Sequence, residues 1–291
     1  MVKYLVTGAN GLLGSKAVKA LVQRVPAEQV AVSVRDPRKA EELAELGVEV
    51  RRGDYDDPSS LDRAFAGIER LLLISSQGDN ETRIKQHKNA VEAAKRAGVK
   101  FIVYTSAPNA AHSKLFLAEV HKATEEAIRA AGIPYSFVRN NWYVENETET
   151  VKSVLAGAPL VTSAGNGQVG WAPREDYAQA AAAVLAGEGH ENTVYELGGK
   201  LATYDDYAAA IFKASGTAVS VQQVTDEAYE AGLAAVGLPA PVVQMLLLIQ
   251  QGIRSGELAV ESGDLAKLLG RPATSLEDAV SELVREIRSE S

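Results

Sequence analysis

The chain has 291 residues, 46% of them hydrophobic and 23% charged, so it carries enough apolar surface for a large folded core and is neither a disulfide-stapled miniprotein nor a disordered tail. Thirty basic against 38 acidic side chains leave a net charge of −8, which offers no general attraction to nucleic-acid phosphates or anionic lipid. With no cysteine, disulfides and thiolate chemistry are excluded; four scattered histidines give little support to a histidine metal cage, nothing signals a carboxylate-bound Mg²⁺, and no metal is expected.

From residue 1 to about 140, short β-branched runs alternate with longer segments of helical period, the pattern of βαβ units and a parallel sheet. Strands are predicted over 3–6, 30–34, 49–52, 70–74, 100–105 and 135–138, and helices over 11–25, 37–46, 58–66, 81–97 and 116–131. Asp36-Pro37 and Asp57-Pro58 each provide an N-cap followed by a proline in the first turn, and Gly47, Gly98 and Gly132 follow helices as C-caps. Beyond Asn140 the regularity changes: two turn-rich stretches precede helices over 174–186 and 204–214, which flank a short strand over 193–197, and a mostly helical lobe follows from about 225 to 287. The longest apolar stretch, 242–249, is far shorter than the ~20 residues needed to cross a bilayer. The first residues read directly as a strand rather than a signal peptide, so a cytoplasmic location is expected.

The strongest motif is Thr7-Gly8-Ala9-Asn10-Gly11-Leu12-Leu13-Gly14, between the first strand and the first helix. Glycines at 8, 11 and 14 let the turn tighten, let backbone N–H groups of Asn10, Leu12 and Leu13 approach a pyrophosphate, and let the helix pack closely on the sheet. The expected fold is α/β, a Rossmann-type doubly wound parallel sheet with a smaller, mostly helical C-terminal lobe. Residues 1–140 would form the nucleotide-binding domain, its sheet completed by segments around 160–200, and 141–291 would form most of the substrate lobe. Arg35 ends the second strand, where the adenosine ribose is met, and its guanidinium matches the 2′-phosphate of NADP(H); Asp36 beside it offers the competing ribose contact of an NAD enzyme. Asp54 and Tyr55 close the third strand near the adenine, and Ser75 and Ser76 close the fourth on the path of the nicotinamide ribose and phosphates.

These segments, with Val-Arg-Asp-Pro at 34–37, Leu-Leu-Leu-Ile-Ser-Ser at 71–76, Gly-Val-Lys-Phe-Ile-Val-Tyr-Thr-Ser at 98–106 and Arg-Asn-Asn-Trp-Tyr-Val-Glu-Asn at 139–146, resemble the NmrA-like atypical short-chain dehydrogenase/reductases over nearly the whole chain. Val-Tyr-Glu-Leu-Gly-Gly at 194–199 and Leu-Gly-Arg-Pro-Ala-Thr-Ser-Leu at 269–276 also fit, and within the family the resemblance is strongest to the NADPH-dependent quinone oxidoreductase 2 branch. It implies NADP(H) as cofactor and an NAD(P)H:quinone oxidoreductase acting on a small, quinone-like molecule at the lobe boundary. No Tyr-x-x-x-Lys occurs in the chain, which argues against alcohol dehydrogenase or epimerase chemistry; quinone reduction needs less acid–base help. His121 sits where that tyrosine would stand and offers a proton, with Ser106 as its hydrogen-bonding partner, or else is structural; His87 lies on an apolar helix face and reads as packing.

At the end of the sixth strand, Asn140 is placed to bond the nicotinamide carboxamide or the substrate carbonyl. Trp142 and Tyr143 either stack on a flat ring or pack the lobe interface, and Asn141, where the family pattern often has glycine, would narrow the space beside the ring. The rival class is a dinucleotide-binding, redox-sensing regulator without turnover, and the acceptor is left open between quinones, dyes and imine-like compounds. No nucleic-acid or membrane partner is expected, and a homodimer is left open.

Overall fold

Runs such as Leu-Leu-Leu and Phe-Ile-Val-Tyr carry apolar side chains to both faces of a strand, and such strands are stable only where helices cover both faces. In the computed structural model, which describes residues 2–290, seven strands form one all-parallel sheet. These are β1 (Tyr4–Thr7), β2 (Val30–Val34), β3 (Glu49–Arg52), β4 (Arg70–Leu73), β5 (Phe101–Ser106), β6 (Tyr135–Asn140) and β8 (Thr193–Leu197). Their order is β3-β2-β1-β4-β5-β6-β8, so the chain reverses its direction of travel between β1 and β4. Tyr4 accordingly pairs with Val30 on one side and Arg70 on the other. An open sheet of this kind places its ligand crevice at the carboxyl ends of the strands, beside that reversal.

Helices α1 (Leu12–Val22) and α7 (Arg174–Ala186) cover one face, and α3 (Pro58–Phe65), α4 (Asn80–Ala97) and α5 (Ala118–Ala131) cover the other. The α7 helix approaches closely because Ala178, Ala180, Ala181 and Ala182 are all fully buried. Both it and α11 (Asp264–Leu269) belong to the sheet domain by packing, so the expected division at residue 140 is crossed twice by the later chain. The sheet is completed by β8 alone. The segment β7 (Leu160–Thr162) instead pairs in parallel with β9 (Val221–Gln223) in a separate two-stranded sheet within the lobe.

The lobe's own core gathers α6 (Thr148–Leu155), α8 (Tyr204–Ser215), α10 (Ala240–Arg254) and α12 (Leu276–Ser289) around Trp171, Tyr207 and Ile253, while α9 (Asp226–Ala235) lies outside it with no buried residue. The predicted helix over 37–46 divides into a 3-10 turn at Pro37–Lys39 and the short α2 (Glu41–Ala44). No described helix is long and apolar enough to cross a membrane. The described residues contain no cluster of three or more His, Asp or Glu suited to a metal ion.

Candidate active site at the carboxyl edge of the sheet

The glycine loop has the shape its spacing predicts. Gly8 adopts φ of +60°, a conformation that a side chain disfavours, and the Gly11 amide donates to the Gly8 carbonyl at 3.0 Å. A Cβ on Gly14 would lie 2.2 Å from that same carbonyl, so only glycine lets α1 seat on the loop. No side chain caps α1 and no acidic residue occupies its first turn, which leaves its leading amides to an anion. Leu12 is 68% exposed and Asn10 is exposed beside it, whereas Leu13 is buried in the core.

At the end of β2, Arg35 is exposed and pairs with no carboxylate among the described residues. Asp36 is committed elsewhere: it accepts the Arg38 backbone amide at 3.2 Å and both arms of the Arg38 side chain at 2.9 and 3.0 Å. The Arg38 hydrogen bond holds the Asp36 carboxyl below the usual carboxylate range, and the competing ribose contact loses its acceptor to this cap. Asp54 turns one carboxylate oxygen to the Asp56 amide at 3.0 Å. Tyr55 departs from its expected place by the adenine. Its hydroxyl runs inward, 2.7 Å from both Thr7 Oγ1 and the Ile74 carbonyl, where it ties the glycine loop to β4, and burial raises its pKa.

Ser75 and Ser76 follow β4, and both are held through their backbones: the Ser75 amide donates to Thr105 Oγ1 at 2.9 Å and the Ser76 amide to His87 Nε2 at 2.9 Å. That bond fixes the imidazole's tautomer, since Nε2 accepts and Nδ1–H is left to donate to Thr124 Oγ1 at 2.8 Å. His87 is fully buried, and burial together with the Arg83 charge pushes its pKa down to about 3. It is a packing residue, as expected, with the added task of anchoring the Ser76 turn.

His121 and Ser106 are both buried at the carboxyl edge, but the structure does not join them. Ser106 donates to Glu125 Oε1 at 2.7 Å. Glu125 is in turn gripped by Arg139 through Nε at 2.9 Å and Nη2 at 2.8 Å, and Arg139 also reaches Glu196 at 2.8 Å. Ser106 is thus a member of a closed ion-pair network rather than a partner of His121. Arg83 Nη2 lies 3.4 Å from His121 Nε2 and has only hydrogens to give, so Nε2 accepts and Nδ1–H faces the Tyr104 oxygen at 2.9 Å. Burial, then the charges of Arg83 and His87, hold His121 well below the ordinary histidine range. A neutral imidazole with both nitrogens engaged is a poor general acid, which favours the structural alternative for His121.

At the end of β6 the four expected residues separate into different roles. Asn140 is 6% exposed; its Nδ2 donates to the Tyr143 hydroxyl at 3.2 Å, and its Oδ1 is buried with no partner. Asn141 turns away from the edge, donating to the Leu258 carbonyl at 3.0 Å and accepting the Trp142 amide at 2.8 Å. It fastens the end of β6 to the Leu258 segment of the lobe. Tyr143 packs edge-on to Tyr177 under the Arg174 guanidinium. Trp142 is half-buried against the lobe core, its indole N–H donating at 3.2 Å to Glu147, which also accepts from Tyr204 at 3.2 Å.

Two functional candidates escaped the sequence reading. Glu147 is buried and burial raises its pKa; nothing in Val-Glu-Asn-Glu distinguishes it from the part-exposed Glu145 two residues before. Arg83 stands one helical turn before His87 on the buried stripe of α4, and a charge on that stripe is the signal that was there to be used.

A sequence profile of the NmrA-like family matches residues 2–262. Quinone oxidoreductase 2 of Escherichia coli (strain K12) is 43% identical over 279 residues, covering 96% of this chain and 97% of that protein. The structure of NADPH-dependent quinone oxidoreductase from Escherichia coli complexed with NADPH superposes with a TM-score of 0.93 at 42% identity, over 97% of this chain and 99% of that one. Triphenylmethane reductase of Citrobacter sp., complexed with NADP(H), superposes with a TM-score of 0.92 at 42% identity over the same shares. The glycine loop, the parallel order of the sheet and the family profile agree, and the chain belongs to the NmrA-like family.

Proposed function

We propose that the protein is an NADPH-dependent reductase that delivers hydride to a quinone or a similar conjugated acceptor. The residues present fit the dinucleotide. The glycine loop is shaped for a pyrophosphate, Arg35 is unpaired where a 2′-phosphate would lie, and the orphaned Asn140 Oδ1 matches a carboxamide N–H. When bound, the reduced nicotinamide supplies the hydride.

The chain's own residues bind, orient and exclude water. Amides of Asn10, Leu12 and Leu13 hold the diphosphate, the Ser75-Ser76 turn borders the ribose, and Asn140 sets the rotation of the ring. Trp142 and Tyr143 form the aromatic wall at the lobe boundary, where a flat acceptor stacks. One observation carries the choice of acceptor: His121 and Ser106 are both closed into buried networks, so neither side chain stands ready as a strong acid over the reacting ring. A quinone accepts hydride without one, because its reduction is downhill and its ring stabilises the product anion. The proton is then taken from water.

The same reading places the enzyme in the cytoplasm, acting on a small molecule without a nucleic-acid or membrane partner, and leaves a homodimer to sedimentation measurements. The test is oxidation of NADPH with 1,4-benzoquinone, followed by loss of reduced-nicotinamide absorbance beside an NADH control. Turnover with NADPH in clear preference to NADH is expected. A sample that binds NADPH by calorimetry yet oxidises it with no quinone would overturn the reductase reading.

A further inference from the structure

Arg83 is the one guanidinium at the carboxyl edge whose charge the described residues leave uncompensated and buried. It is 6% exposed, forms no ion pair, leaves Nε without a partner, and makes a single 3.4 Å contact through Nη2 to a neutral histidine. Its other neighbours in the cluster, Tyr104 and His87, carry no negative charge to offer. A guanidinium cannot shed its proton at any ordinary pH, and a buried charge without a counter-charge is expensive, so the arrangement is stable only at the cost of folding energy.

The position gives that cost a purpose. Arg83 is in the first turn of α4, just after β4, and His121 is in the first turn of α5, just after β5. Arg35 at the end of β2 and the glycine loop at the end of β1 fix the adenosine and pyrophosphate half of the crevice. The reacting half therefore lies over β4, β5 and β6, between Arg83 and the orphaned Asn140 oxygen.

We propose that Arg83 is the counter-charge for the oxyanion that forms on the acceptor, so that the acceptors proper to this enzyme are neutral carbonyl compounds that become anions on reduction, quinones above all, rather than cationic dyes. The proposal rests on the reductase reading. In the step concerned, the C–H bond at the nicotinamide breaks with its electron pair, the acceptor gains H⁻, and the dinucleotide is left oxidised. The quinone becomes a hydroquinone monoanion, whose negative oxygen meets the guanidinium until water supplies the proton. A cationic triarylmethane dye runs the opposite course: it arrives positive and leaves neutral, so the Arg83 charge repels the substrate and gains nothing from the product.

The experiment compares wild type, Arg83→Leu and Arg83→Lys as full chains. Arg83→Leu is expected to lower kcat with 1,4-benzoquinone about 100-fold, the usual consequence of removing one oxyanion stabiliser. Its NADPH Kd should stay within about threefold of wild type, its kcat/KM with crystal violet should rise, and Arg83→Lys should recover part of the quinone rate. A second measurement is independent of turnover: 4-nitrophenolate, a stand-in for the hydroquinone anion, should bind the NADP⁺-loaded wild type and fail to bind Arg83→Leu.

If NADPH affinity falls more than tenfold while phenolate binding persists, Arg83 serves the cofactor and the proposal is overturned. Equal quinone rates in all three proteins would overturn it too, as would a collapse of the fold in Arg83→Leu that Lys does not repair, since that would mark a guanidinium the fold itself requires. Wild type that binds phenolate through Arg83 but reduces nothing would remove the reductase reading and keep the anion site.

Discussion

Arg139 on β6 and Arg83 on α4 are both buried and are satisfied in opposite ways. Arg139 spans two carboxylates, with two bonds to Glu125 and one to Glu196, and although burial alone would lower its pKa, those bonds hold it raised. Arg83 meets no carboxylate, and burial lowers its pKa. The first arrangement pins β6 to α5 and β8 and is complete in the folded chain. The second is incomplete without a ligand. Burial of a charge therefore does not identify function by itself; what identifies it is whether the chain brings its own counter-charge.

The largest expected effect breaks the complete member of the pair. Glu125→Ala leaves Arg139 facing only Glu196 and deprives Ser106 of its acceptor, and removing one partner of a buried ion pair typically costs about 3–5 kcal/mol. Urea denaturation should show this as a lower midpoint with an unchanged slope. Arg83→Leu should move stability the other way, because it removes an uncompensated buried charge and gives up only the long 3.4 Å contact to His121 Nε2. If both variants lose stability alike, the contrast drawn between the two arginines is wrong.

Acid provides the next test, because the groups around Arg83 are neutral histidines where those around Arg139 are carboxylates. His87 has a folded pKa of about 3, depressed from 6.5, and that of His121 is also well below 6.5. The unfolded chain then binds more protons than the native one at intermediate pH. The contribution is fully present above about pH 6.5 and is lost as the pH falls through the folded values, with a slope of at most about 1.4 kcal/mol per pH unit for each histidine. Replacing His87 by Gln should flatten the fall of stability between pH 6 and 4 in denaturant titrations. An unchanged slope would mean that the ring is already charged in the folded state.

Arg35 sharpens the comparison from outside the core, as a cation that is unpaired but exposed. Water compensates it, so it costs the apo chain little, and its loss should be felt only by the ligand. Arg35→Ala should weaken NADPH binding by about 10- to 100-fold, the worth of a charged hydrogen bond or two, and leave NADH affinity and thermal stability nearly unchanged. Calorimetry with both nucleotides checks this, and equal losses for the two would remove Arg35 from the 2′-phosphate.

Which of these residues were legible in the sequence follows from how far away their partners lie. The tight shape of the loop from Thr7 to Gly14 and the place of Arg35 just after β2 are set by local backbone and strand position, and both are readable from spacing alone. Phe101–Ser106 is buried at every position, as its unbroken apolar run implies. The contact of Asn141 is not legible because its partner Leu258 lies 117 residues on, and that of Ser106 because the carboxylate it serves is set by the docking of α5 against β6. The β7–β9 pairing joins two three-residue strands some 60 residues apart, too short to show a period. Tyr55 had the right place on the chain and the wrong direction, since only the neighbouring Thr7 and Ile74 draw its hydroxyl inward.

Glu147 supplies the counterpart of Arg83, a buried carboxyl group with no cation beside it, and the smallest expected effect. Unlike a guanidinium, a carboxyl group escapes an unpaired charge by keeping its proton, and burial raises the Glu147 pKa in that direction. Its carbonyl oxygen still accepts from Trp142 and Tyr204 when the group is neutral, so no ligand is needed to complete it. Glu147→Gln preserves that acceptor and removes only the option of ionising. Its stability at neutral pH should change by less than about 1 kcal/mol, with a slight gain as the pH rises above the unfolded carboxyl pKa, where the wild type is penalised for holding its proton. A loss of about 3 kcal/mol or more in urea would show a charged, structurally required carboxylate. The asymmetry between the two unpaired groups would then fail, and with it the argument that only the arginine is kept unpaired for a ligand's sake.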